Sequence, residues 1–288
     1  MNRLLAALLL LVAGNAAAAP LRIATLSPIL TEIAEEVGGP DVAVTGILAP
    51  GVDPHTFEPS PSDLRIITRA DLVLASGLGL EGYLDRIAAN SGTAARIALA
   101  GSSLGILAAP GGRHGEPDPH WWQSVTAMIA ATRWVAAEIA ALRPDDASPI
   151  QGRAEAYIGR LRTLDAWVRA EVSQLPADHR TLVTTHDAFG WFARDYGFDV
   201  RAIDALSADA EPNARDFAAL VEFVRRRRVP AIFPESDENS RLASALAAES
   251  GARVGPALYA DGLVPSGDGS TYEAMFRHNV RAIVDGLR

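Results

Sequence analysis

Residues 148–176, SPIQGRAEAYIGRLRTLDAWVRAEVSQLP, separate two halves of the chain that each alternate short β-rich runs with helical patterns. Apolar side chains at Ala154, Tyr157, Ile158, Leu161, Leu164, Trp167 and Val168 recur at spacings of three and four, which makes one continuous amphipathic face. A helix of that length reaches roughly 40 Å at about 1.5 Å per residue. A flexible hinge is instead short and rich in Gly or Ser. The segment therefore predicts a rigid backbone helix that joins two lobes and limits how far they can swing.

On the N-terminal side, LRIAT (21–25), VAVTGI (42–47) and DLVLA (71–75) read as strands. Helices are predicted between them at 29–37 and 62–70, the second capped by Ser62, and Gly77–Gly82 forms a turn. On the C-terminal side, TLVTT (181–185), DVRAI (199–203) and PAIF (230–233) read as strands, with helices at 187–196, 213–228 and 239–250. Strand–helix alternation implies an α/β fold with parallel sheets flanked by helices. The expected organisation is an N-terminal α/β lobe over 20–147, the linking helix over 148–176 and a C-terminal α/β lobe over 177–288.

The chain opens MNRLLAALLLLVAGNAAAAP, a basic residue, an apolar run and small alanines, the pattern of a secretory signal peptide over 1–19. The run Leu4–Ala13 is too short for a bilayer, which needs about 20 apolar residues, and no other segment is read as a membrane anchor. Pro20 makes the bond after Ala19 a poor cleavage site, so cleavage is expected near Ala18. There is no cysteine, which excludes disulfides, thiolate ligands and a thioether lipid. A periplasmic location is predicted. The net charge of −9 argues against nucleic acid and anionic membranes. The basic run Arg225–Arg228 closes a helix, where cations complement the macrodipole.

Histidine is the commonest transition-metal ligand, and three of the six here stand in unusual settings. They are His55 in GVDPHTFEPSPSDL, His120 in EPDPHWW and His186 in TTHDAFGWFARDYGF. Each occupies a strand or loop exit, the position at which parallel α/β sheets bind ligands. His120 is expected just before a helix over 121–142, and His186 at the opening of the next helix. Singly, each reads as structural; three together point to a metal. His114, His179 and His278 look ordinary. Without cysteine a fourth ligand is an oxygen, from Asp261 in ALYADGL or from Glu235 in IFPESDEN.

The chain resembles the metal-binding solute receptors of bacterial ABC importers for zinc and manganese. PHTFEPSPSD (54–63), DPH (118–120), THDAFGWFARDYGF (185–198), SADAEPNA (207–214), IFPE (232–235) and LYADGL (258–263), with 272–279, carry the resemblance across the mature chain. It implies two α/β lobes on one long helix, a metal site of His55, His120, His186 and Asp261, and a membrane permease as partner. The sequence departs from the family in two places. Trp121-Trp122-Gln123 stands where a single aromatic and an Asp-Pro turn are usual. The region 111–118 holds one histidine in place of the long His-rich loop of many zinc receptors.

Three histidines and one carboxylate suit four-coordinate zinc, whereas manganese prefers more oxygen and remains the alternative. A zinc hydrolase is the rival class, but the sequence has no HExxH and no GxSxG. A receptor for an organic ligand would need more aromatic residues than 6%. The expected function is capture of zinc by a monomer, with His55 and His120 from the first lobe and His186 and Asp261 from the second, then delivery to the permease by movement of a loop.

Overall fold

A computed structural model describes residues 19–90, 96–103, 117–204, 214–235 and 240–288. The signal segment 1–18 and the SADAEPN stretch lie outside the described residues. The first half runs β1 (Leu21–Thr25), α1 (Pro28–Gly38), β2 (Val42–Gly46), α2 (Pro61–Arg69), β3 (Leu72–Ala75), α3 (Leu84–Asn90), β4 (Arg96–Leu99) and α4 (Ala100–Ser103). Two longer helices follow, α5 (Val125–Leu142) and α6 (Ala147–Val172). The second half runs β5 (Thr181–His186), α7 (Gly190–Tyr196), β6 (Asp199–Asp204), α8 (Ala214–Arg227), β7 (Ala231–Ile232), α9 (Ser240–Ser250), β8 (Arg253–Val254) and α10 (Tyr272–Leu287).

The first sheet has the order β2-β1-β3-β4, with every neighbour parallel. In the second half β5 pairs with β6 and β7 with β8, again in parallel. A parallel bridge between Thr184 and Phe233 joins the two pairs across β5 and β7. The architecture is two α/β lobes on one connecting helix, as the alternation of patterns predicts.

α6 is that connector. Ile150, Ala154, Tyr157, Ile158, Leu161, Leu164, Val168 and Val172 are its buried face. This is the predicted stripe apart from Trp167, which is half-buried beneath the guanidinium of Arg277. One hydrophobic cluster runs from Leu21 and Ile23 in β1, through Met128 and Val135 in α5 and Leu161 in α6, to Leu182 in β5 and Met275 in α10. Burial is roughly proportional to apolar area removed from water, so opening the lobes far would expose this shared core. Arg153 adds a polar tie, donating to the carbonyls of Val37 and Gly38 at the end of α1 at 2.7 Å each.

Local chemistry shifts some predicted boundaries. Ser60, not Ser62, caps α2, because Pro61 fits the first helical position and Asp63 completes a reciprocal capping box. α5 starts at Val125, since extended Ser124 is its N-cap and Trp121–Gln123 form a separate 3-10 turn. α7 starts at Gly190 rather than 187, and α6 ends at Val172. β4 and β8 are strands that the sequence reading missed; β8 is two residues long and carries no period. α5 also corrects the expectation that nothing beyond the leader is apolar enough for a membrane. It has 18 residues and a mean hydropathy of 1.4, but Val125, Met128, Ala131, Val135 and Ile139 are buried in the core.

Candidate metal centre

His55 lies in the irregular loop between β2 and α2, which the prolines at 50, 54 and 59 keep out of regular structure. Asp53 accepts from the backbone N–H of His55 at 2.8 Å and from the Thr56 hydroxyl at 3.0 Å. His120 precedes the 3-10 turn and is fully buried. Asp118 accepts from its backbone N–H at 2.9 Å and bonds its Nδ1 at 2.8 Å. His186 is the last residue of β5 and does not open the next helix; the turn 187–189 intervenes. Asp261 lies between β8 and α10, in a loop that meets the His55 loop where Gly51 N–H donates to Leu263 O at 2.8 Å. Gly51 has φ +83, and a Cβ there would stand 3.2 Å from Pro265, so the contact favours glycine.

The four side chains converge. His55 Nε2 and His120 Nε2 are 3.2 Å apart. Asp261 Oδ1 stands 3.4 Å from His55 Nε2, 3.5 Å from His120 Nε2 and 3.6 Å from His186 Nδ1. One donor-type atom from each residue lies within 4.8 Å of every other. His186 Nε2 and Asp261 Oδ1 are buried without a hydrogen-bond partner. Buried polar atoms are usually paired, so two orphans in one cluster need an explanation. A cavity of about 410 Å³, lined by His55, His186, Glu235 and Asp261, opens from the cluster.

Glu235, the rival acid, is occupied elsewhere. Its Oε2 bonds His186 Nδ1 at 2.8 Å and its Oε1 accepts the His186 backbone N–H at 3.0 Å. It fixes the ring of His186, as Asp118 fixes that of His120. Further residues hold the Asp261 loop. Trp122 Nε1–H donates to Ala260 O at 2.7 Å, and Gln123 Nε2–H to Ala260 O at 2.9 Å. Asn279 accepts from Tyr259 N–H at 2.9 Å and donates to Tyr259 O at 2.8 Å. The departure from the family at 121–123 therefore makes contacts of its own. No sequence spacing reveals these pairs, although the repeated Asp-Pro-His was a visible signal for Asp118.

Charge in the cluster is tightly coupled. Burial alone would lower the pKa of His120, but the hydrogen bond to Asp118, the contact with Asp261 and both negative charges outweigh it, and the pKa is pushed up to about 10. For His186 burial is again outweighed, chiefly by Glu235, and the pKa is raised. Burial would raise Asp261, yet the close approach of His120 and His55, with the charge of the nearby imidazoles, holds it well below the usual carboxylate range. The cluster favours positive charge at its centre.

The family model described as "Zinc-uptake complex component A periplasmic" matches residues 23–286. The chain belongs to this family. Its members are substrate-binding receptors of ABC transporters, so the protein is a metal-binding receptor and the hydrolase alternative falls. The chain is 34% identical over 283 residues to the manganese-binding lipoprotein MntA of Bacillus subtilis, covering 96% of this chain and 92% of that one. It is 31% identical over 274 residues to the zinc-binding protein TroA of Treponema pallidum, covering 93% and 89%. The solved structure of TroA matches with a TM-score of 0.85 over 93% of this chain and 99% of that chain. The likeness extends to the two lobes and the connecting helix.

Proposed function

We propose that this receptor is exported to the periplasm, binds Zn²⁺ between its lobes through His55, His120, His186 and Asp261, and delivers it to an inner-membrane ABC permease. The lobes are assigned to 20–147 and 177–288, with the leader 1–19 cleaved near Ala18. The spacing of the donor atoms supports this reading most. Zinc bonds of about 2.0–2.1 Å in a tetrahedron put ligand atoms roughly 3.3–3.4 Å apart. The distances from Asp261 Oδ1 to the imidazoles of His55 and His120 are 3.4 and 3.5 Å, and those two imidazoles are 3.2 Å apart. A dication would also satisfy the orphaned Nε2 of His186 and Oδ1 of Asp261.

The nitrogen-rich set favours zinc, because Glu235 and Asp118 already hold histidine rings and offer no second carboxylate. Manganese is the second reading. It is favoured by the likeness to MntA and by the one-third exposure of the Asp261 side chain, which leaves room for further oxygen ligands. Elemental analysis of protein purified from its own periplasm tests the choice. One zinc per chain is the expected result, and one manganese per chain would reverse it. Several relatives are named lipoproteins, whereas this chain has no cysteine to carry a thioether lipid, which supports a receptor free in the periplasm.

A further inference from the structure

We propose that Gln123, together with Trp122, is a positioning residue that locks the Asp261 loop of one lobe to the His120 segment of the other. The His120–Asp261 edge of the site then stands assembled before metal arrives. The inference rests on the reading of Asp261 as a metal ligand.

Ala260, the residue before Asp261, offers one carbonyl to two donors. Trp122 Nε1–H reaches it at 2.7 Å and Gln123 Nε2–H at 2.9 Å, and the same Gln123 amide donates to Tyr259 O at 3.0 Å. Trp122 and Gln123 are each 1% exposed, so water does not compete for these bonds. The donors are themselves fixed. The Tyr272 hydroxyl donates to Trp122 O at 2.8 Å, and Gln123 N–H to His120 O at 3.0 Å. The His120 ring meets Trp122 edge-on at 5.4 Å between centroids.

The peptide between Ala260 and Asp261 is the one whose rotation would swing the carboxylate out of the cluster. Between β8 and α10 the only regular structure is a 3-10 turn at Gly267–Gly269, so the loop does not hold that peptide by itself. Two buried donors from the opposite lobe do. Ordering is then completed on folding rather than on binding, which raises affinity. An apolar side chain at 123 would fill the volume but leave Ala260 O with one donor and Tyr259 O with Asn279 alone.

The test is zinc affinity, measured by chelator competition on the full chain, for wild type, Gln123→Leu, Asp261→Ala and the double variant. Gln123→Leu is expected to weaken zinc about tenfold, the effect of about one lost buried hydrogen bond, and to cost nothing further once Asp261 is gone. A merely structural glutamine would lower the melting temperature and weaken zinc equally in both backgrounds, and that outcome overturns the proposal, as does unchanged affinity in Gln123→Leu. Trp122→Phe keeps most of the ring and removes the same type of donor; it takes the place of Gln123→Leu in the cycle, with the same pattern expected, if that variant does not fold. Undiminished binding by Asp261→Ala alone would instead remove the ligand assignment itself.

Discussion

Asp53-Pro54-His55 and Asp118-Pro119-His120 repeat one device with different outcomes. In both, the aspartate accepts from the histidine backbone N–H two residues on. Asp118 also holds the ring of its histidine, whereas the second oxygen of Asp53 goes to Thr56. Partners behind a metal-bound histidine fix its tautomer, and their loss typically costs 10–100-fold in affinity. Asp118→Asn and Glu235→Gln are each expected to weaken zinc by about that factor, read by chelator competition; wild-type affinity in both would deny the carboxylates this role. The pH dependence has a definite sign. In the metal-free fold His120 keeps its proton up to about pH 10, above the ~6.5 of an unfolded imidazole. That contributes stability fully present below about pH 6.5 and lost as pH rises towards 10. Zinc requires the neutral ring, so its affinity runs the other way and weakens as pH falls. The gap in melting temperature between zinc-loaded and metal-free protein should therefore widen between about pH 6 and 9, and a narrowing gap would contradict the account. The three histidines stood out because each sits in a distinctive short motif, whereas position alone left Asp261 and Glu235 open and only the family resemblance chose between them. The roles of Glu235, Trp122 and Gln123 were not legible, since their partners lie 49 to 138 residues away and only the fold brings them together.

At the scale of elements, what was legible had a period or a cap. The stripe on α6 marked its buried face, and short β-rich runs between helical segments marked β1, β3 and β5. β8 escaped because two residues, both exposed, leave no hydrophobic signal. Ser62 was the expected cap of α2, but side-chain geometry gives the role to Ser60. Ser60 Oγ accepts from Asp63 N–H while Asp63 Oδ2 accepts from Ser60 N–H at 2.8 Å. Ser60→Ala should cost about 1 kcal/mol in denaturant unfolding, and Ser62→Ala within about 0.5 kcal/mol of nothing. A larger loss at Ser62 would place the cap where the sequence alone suggested it. Because α2 ends the His55 loop, the cap also fixes where that loop begins its return to the sheet.

At the scale of the whole molecule, α6 and the continuous core tie the lobes together, and the histidine–aspartate cluster lies where their loops meet. A ligand that binds only the folded state stabilises it by RT ln(1 + [L]/Kd), about 4 kcal/mol at a thousandfold excess over Kd. Zinc should raise the melting temperature accordingly, and manganese should raise it less at equal concentration; a larger shift with manganese would reverse the choice of metal. The restraint on the lobes also bears on delivery. On the proposed reading, an Asp261 loop clasped from both sides is released by movement of a ligand-bearing loop rather than by a wide swing about α6. Whether His55, His120, His186 and Asp261 enclose zinc is read from X-ray absorption at the zinc edge. Protein loaded with one equivalent should show four ligands at about 2.0 Å, three of them imidazoles, and His120→Ala should lose one imidazole. Five or six mainly oxygen ligands, or a spectrum that His120→Ala leaves unchanged, would contradict that reading.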